Sequence, residues 1–206
     1  MNTIKLLFAT TSIAIFTCSC GNHQQNGGIS QNTPVKFSQV EITDDFWQPR
    51  IKALSETTVP FCLDQCCTKT GRVNNFAVAA GLVEGKWQGL FYDDSDLYKT
   101  IEGAAYSLQN EPNAVLEAQI DSIVAIIAAA QRPDGYLDTY YLLEKPGEEW
   151  TDMDKHEMYC CGHLIEAAIA YKDATGKRKL LDVAEKFANH LLSIFGPGKR
   201  DWVPGH

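Results

Sequence analysis

The most constraining stretch of this sequence is Asn113 to Ala130. It has the length and spacing of a single helix, and its second half, Ile123-Val-Ala-Ile-Ile-Ala-Ala-Ala130, is apolar on every side. A helix with no polar face has to be covered all round. Its neighbour Asp93 to Leu108 is different. There Leu97, Ile101, Ala104 and Leu108 recur at helical spacing as one core stripe, while Asp94 or Ser95 caps the start and the carboxylates suit the positive helix end. A further helix is predicted over Lys177–Phe195, with Leu180, Val183, Ala184, Phe187, Leu191 and Ile194 on one face and Gly196-Pro-Gly198 as its stop.

Between them lies Asp154-Lys-His-Glu-Met-Tyr-Cys-Cys-Gly-His163, running on to Tyr171. At 100° per residue His156, Cys160, His163 and Ala167 share one stripe, and Met158, Ile165 and Ile169 lie opposite. Asp154 and Glu157 stand in capping-box spacing. Such a helix packs on its apolar back and turns His, Cys and Ala toward a cavity. Alternation of all-apolar with amphipathic helices is the pattern of a double ring, with inner helices covered on both sides and outer ones on one. The expected fold is mainly α, a helix-pair toroid. It is preceded by an extended arm over Val35–Ile42 and by a helix starting near Thr43, with Pro49 in its first turn and an interruption at Pro60. Gly71 to Phe76 is expected as a turn, Gly85 to Tyr92 as a loop with aromatics, and Tyr140, Tyr141 and Trp150 in the loop after the Pro133 and Gly135 helix stop.

The 206 residues are enough for a sizeable core, and 45% of them are hydrophobic. A net charge of −8 and the lack of a basic patch argue against a nucleic-acid partner. The first residues form a targeting segment. Lys5 supplies a basic n-region, Leu6 to Phe16 an apolar run too short to span a bilayer, and Thr17-Cys-Ser-Cys-Gly21 a small residue before a cysteine. This pattern predicts a lipoprotein signal over residues 1–19, lipidation at Cys20, and export with anchoring in the bacterial periplasm or at the cell surface. The alternative is an ordinary cleaved signal peptide. Residues 20–33, rich in Gln, Asn and Gly, form a tether. Of the seven cysteines, Cys62, Cys66, Cys67, Cys160 and Cys161 remain in the globular part. They are read as buried thiols, with a disulfide between the clusters left open. His156, Cys160 and His163 have a spacing that suits zinc, but three ligands on one helix converge poorly and no fourth is evident. No metal site is assigned to them.

Aromatic, Asp and His residues around a cleft suit sugar binding, since ring faces stack on sugar C–H faces and polar side chains meet hydroxyls. Three runs carry a more specific signal. These are Asp94-Ser-Asp-Leu-Tyr-Lys-Thr-Ile-Glu-Gly-Ala-Ala-Tyr-Ser-Leu108, Gln131-Arg-Pro-Asp-Gly-Tyr-Leu137 and His156-Glu-Met-Tyr-Cys-Cys-Gly-His-Leu-Ile-Glu-Ala-Ala168. With Val203-Pro-Gly-His206, they resemble glycoside hydrolase family 127 and its relative family 146, the β-L-arabinofuranosidases, over residues 35–206. The resemblance implies an (α/α)6 barrel and hydrolysis, with retention, of a terminal β-L-arabinofuranosyl unit of plant glycans. It also implies a cysteine thiolate nucleophile held near zinc, with a glutamate as acid/base.

In the family these catalytic and zinc-binding groups lie downstream. Residues 34–206 are therefore expected to be the N-terminal portion of the catalytic domain, with no catalytic residue, no zinc ligand and no turnover alone. The residues carried over to the substrate side are His156 and His206 as donors to the sugar, then His163, Asn75, Asp94 and Asp96. The competing reading is a non-catalytic carbohydrate-binding lipoprotein. A uronide-cleaving toroid enzyme would need more basic residues than Arg132 and Lys155 near these motifs.

Overall fold

In the computed structural model residues 33–200 are described. The signal and lipidation assignments, Cys20 included, fall outside them, as does His206. Eight α-helices follow in order: α1 (Gln48–Ala53), α2 (Val59–Asp64), α3 (Arg72–Ala79), α4 (Asp94–Asn110), α5 (Ala114–Ala130), α6 (Thr139–Glu144), α7 (Glu157–Thr175) and α8 (Lys179–Ile194). No strand occurs among the described residues. The arm is extended except for a 3-10 turn at Phe37–Gln39.

Pro49 and Pro60 each stand in the first turn of a helix, where the missing N–H costs nothing. Two π-helical turns, Leu54–Thr58 and Gln65–Lys69, join α1 to α2 and extend α2, so the path bends without breaking. Asn113 caps α5, its side chain accepting from the backbone N–H of Val115 and Leu116. Gly176 in the left-handed region closes α7.

The layers follow from the apolar stripes. α4 lies along α7, α7 against α8, and α5 contacts both α3 and α8. Leu97, Ile101 and Ala104 of α4 meet Leu164, Ala167 and Ala168 in one core, continued by Ile120, Ile127 and Phe187. The small residues on α7 let its backbone approach α4 closely. On α7 the expected faces are largely exchanged: Cys160 and Ala167, read as facing a cavity, lie in the core, and of the expected apolar back Met158 and Ile165 are only half-buried. Cys160, Cys161, Leu164 and Tyr171 are all buried, and Ile169 is exposed. The second half of α5 is less enclosed than its composition predicts. Ile123, Val124, Ile127 and Ala130 are buried, but Ala129 is exposed.

Three local expectations are corrected. The segment after Gly71 is a helix, because Gly71 takes a left-handed conformation and lets α3 begin at once. Tyr140 and Tyr141 lie on a helix, because Asp138 caps it by accepting from the Tyr141 N–H. The capping box at Asp154 does not form. Asp154 sits in a 3-10 turn, Asp152 accepts from the Asp154 N–H, and His156 at φ +62° is the residue from which α7 starts.

The α4–α7 seam carries the core, so shortening a fully buried side chain there should cost about 2–5 kcal/mol. Ile101→Ala is expected to lower the midpoint of urea unfolding accordingly, whereas Val115→Ala on the exposed side of α5 should leave it near the parent value.

Candidate functional site

The site forms where the 80–93 loop, the start of α4 and the start of α7 meet. Tyr92, Asp96, Lys99, His156 and Tyr159 line a concavity of about 440 Å³. A larger one of about 850 Å³ lies between the arm, α1 and the end of α4, but no aromatic ring or histidine lines it.

His156 sits at the head of α7 with Nδ1 2.9 Å from the Asp154 carbonyl. A carbonyl only accepts, so this bond places a proton on Nδ1, and in the neutral ring Nε2 is then an acceptor rather than the donor read from the sequence. The imidazole lies 5.5 Å from the Tyr92 ring, 5.4 Å from Phe91 and 5.5 Å from Tyr159. Tyr159 is one turn along α7 and also packs at 4.5 Å on His163. Across the concavity Asp96 and Lys99 are 3.7 Å apart, and the Lys99 ammonium stands 4.8 Å over the Tyr159 ring. Arg72 holds Asp96 at 2.7 Å and Asp93 at 3.0 Å. One guanidinium thus fixes both ends of the turn that carries the carboxylate.

Beneath this rim is a buried acidic layer. Asp94 accepts from the Thr139 N–H at 2.7 Å and its hydroxyl at 2.5 Å, joining α4 to α6. Glu157 accepts from the Tyr136 hydroxyl at 2.5 Å and the Trp150 N–H at 2.8 Å. Burial raises the Asp94 carboxyl to about 6, against the lowering effect of the Thr139 bonds. Burial likewise lifts Glu157 to about 7. Asp138 is pushed well above the usual carboxylate range by burial and by the neighbouring Asp94.

The six residues assigned to substrate therefore occupy different places. His156 and Asp96 line the concavity together. Asn75 is fully buried, and its amide clasps Gln88, donating to the carbonyl at 2.8 Å and accepting from the N–H at 3.0 Å. Asp94 is committed to Thr139. His163 lies partly buried beyond Tyr159, 3.1 Å from Glu166. His206 lies outside the described residues. Tyr92, Lys99 and Tyr159 were not singled out from sequence. The available signal was spacing, since Lys99 follows Asp96, and Tyr159 follows His156, by one helical turn.

The zinc and thiolate implied by the resemblance do not fit the residues present. Cys62, Cys66, Cys67, Cys160 and Cys161 are free thiols. Burial raises Cys160 well above its ordinary value and Cys161 to about 12, so both stay protonated and weakly nucleophilic. Among the described residues the one cluster of ligand-type groups is Glu102, His163 and Glu166, which contains no cysteine.

A helix-pair toroid with a His- and Tyr-lined concavity at one end of its helices has the architecture of a helical glycoside hydrolase domain, and the comparisons agree. A model of the β-L-arabinofuranosidase GH127 catalytic domain matches residues 39–206. The chain belongs to glycoside hydrolase family 127. It is 39% identical over 194 residues to a non-reducing end β-L-arabinofuranosidase of Bifidobacterium longum subsp. longum, covering 81% of this chain and 29% of that protein. Among solved structures it is similar to a GH127 β-L-arabinofuranosidase from Geobacillus stearothermophilus, with TM-score 0.75 and 38% identity over 77% of this chain and 26% of that one. A second GH127 β-arabinofuranosidase gives TM-score 0.75 and 42% identity over 84% and 29%. The chain spans less than a third of the length of each of these relatives.

The raised carboxyls give a signed pH dependence. A carboxyl whose folded pKa exceeds its unfolded value contributes its full stability below the unfolded value and loses it as pH rises through the folded one. For Glu157 that window runs from about 4.5 to about 7, and Asp94 and Asp138 act in the same direction. Stability should fall as pH rises across it. Glu157→Gln can still accept the Trp150 N–H. Chemical unfolding at a series of pH values should show a decline shallower by about one proton's worth of slope.

Proposed function

We propose that this chain forms one wall of the sugar site of a β-L-arabinofuranosidase acting on plant-derived arabinofuranosides. The observation that carries the reading is the concavity in which His156 stands between Tyr92 and Tyr159, opposite Asp96 and Lys99, in a chain of this family. The two tyrosine rings offer faces to sugar C–H groups. The Nε2 of His156 accepts from one ring hydroxyl, and Asp96 and Lys99 supply an acceptor and a donor for others. Asp96 is held by Arg72 before the sugar arrives, which lowers the ordering cost of binding.

The nucleophile and acid/base that the resemblance implies are not among the groups assembled here. The 206-residue chain accordingly binds the terminal unit without cleaving it. The sequence of residues 1–20 supports export and lipid attachment at Cys20, so the only membrane contact in this reading is the lipid. No helix of the described residues is long and apolar enough to cross a membrane.

Calorimetric titration of the purified chain with methyl β-L-arabinofuranoside should show saturable binding. His156→Asn suits the left-handed backbone at this position and removes the imidazole. It should weaken binding at least about tenfold, the loss of one good hydrogen bond and ring contact. Release of free arabinose by the chain alone would overturn the non-catalytic part of the proposal. Equal binding by parent and variant would overturn the site. For the anchor, Cys20→Ser expressed in a bacterial host should lose incorporation of labelled fatty acid and leave the membrane fraction.

A further inference from the structure

Glu102 of α4 and His163 and Glu166 of α7 meet on the α4–α7 seam, one helical turn beyond Tyr159. One carboxylate oxygen from each glutamate and one ring nitrogen of His163 all lie within 4.8 Å of one another. His163 and Glu166 stand in i, i+3 spacing on one helix, so their side chains project side by side. Glu102 comes from the helix packed against it. Glu102 and His163 are half-buried and Glu166 is exposed, so the cluster is open to an ion from solvent.

Hydrogen bonding within the protein does not account for this arrangement. The Nδ1 of His163 is buried and makes no hydrogen bond. It stands 3.1 Å from a Glu166 oxygen, but out of hydrogen-bonding line. Adjacent donors around one ion, with bonds of about 2.1 Å, stand roughly 3 Å apart. Among the described residues neither glutamate forms an ion pair with a lysine or arginine, whereas Asp96 on the same helix as Glu102 has both Arg72 and Lys99. Like charges this close repel, and a cation between them would relieve the repulsion. Tyr106, one turn along α4, donates its hydroxyl to Glu102 at 3.1 Å. Such a bond orients a carboxylate as the outer partners of metal ligands do.

We propose that Glu102, His163 and Glu166 bind a divalent first-row transition ion, which ties α4 to α7 and holds the imidazole on which Tyr159 packs. One nitrogen and two carboxylate donors suit manganese(II) or iron(II), with water in the open positions. His163, carried over to the substrate side from the resemblance, is a metal ligand in this reading. Binding at the seam does not depend on a sugar occupying the concavity.

The test is titration of the full 206-residue chain, stripped with a chelator, with manganese chloride. Electron paramagnetic resonance follows the loss of the free manganese signal. Oxygen and nitrogen donors suit this probe better than the five free thiols, so binding reports the seam. One ion should bind per chain, and at a manganese concentration about 100 times its Kd the thermal midpoint should rise by about 5–10 °C. Glu166→Gln removes one ligand charge from an exposed position, and Glu102→Gln removes another while keeping an acceptor for the Tyr106 hydroxyl. Each should weaken binding at least about tenfold, remove the rise, and leave the metal-free midpoint near the parent value. Undiminished manganese binding by both variants would show only the pull of an acidic surface and overturn the site. Binding without a rise in midpoint, or no binding up to about 1 mM, the weak end of carboxylate-rich sites, overturns it as well.

Discussion

The structure depends on acidic side chains buried at the heads of its helices. Asp94 opens α4, Asp138 caps α6 and Glu157 opens α7, each 3% exposed or less. A carboxyl removed from water is costly unless hydrogen bonds replace the lost solvent. Here they come from other segments. Thr139 answers Asp94 across 45 residues of sequence, and Tyr136 and Trp150 answer Glu157. These bonds tie the start of α6 and the segments before α6 and α7 to the helix heads. They also set where the 131–138 and 150–156 segments stand relative to the helix ends.

The loops respond in kind. Gly135 takes φ +92° because its Cα lies against the Lys186 backbone of α8, where no side chain would fit. Tyr136 then packs on Trp150, Phe187 and His190, at 5.3–5.6 Å between ring centres. Arg132 binds both Asp134 and Glu149, and its bond holds the Asp134 carboxyl down at about 2. Through Glu157 this cluster of rings and carboxyls is tied to the start of α7, next to His156, and Tyr92, Asp96, Lys99 and Tyr159 at the concavity stay partly exposed.

Much of this was legible in sequence because helical periodicity is a strong signal. Leu97, Ile101, Ala104 and Leu108 of α4 and Leu180, Val183, Ala184 and Phe187 of α8 were all read as core and are buried, while the buried His190 was missed. What escaped depended on contacts far apart in the chain. α6 is only six residues long, and its first residue Thr139 is held by Asp94, 45 residues away. Asn75 and Asp94 carry the residue types of sugar ligands, and nothing in their local sequence shows that Gln88 and Thr139 engage them. His156 and Asp96 were named from the family resemblance, and the structure sets both in the lining of one concavity. Periodicity can reveal a face, but not which polar groups on it are already occupied.

Strain is concentrated near the same place. Among the described residues the two non-glycine positions with positive φ are Trp150 at +63° and His156 at +62°, and Glu157 links them. Its carboxylate accepts from the Trp150 N–H, and its own residue begins the helix that His156 caps. A left-handed conformation for such side chains costs of order 1 kcal/mol or more and persists only where surroundings enforce it. For Trp150 the enforcement is burial among Tyr136, Phe187 and His190, with its indole N–H 3.2 Å from the His190 Nε2. For His156 it is the Asp154 carbonyl and the rings of Phe91, Tyr92 and Tyr159. With this turn the imidazole stands beside the rings of Tyr92 and Tyr159 that line the concavity.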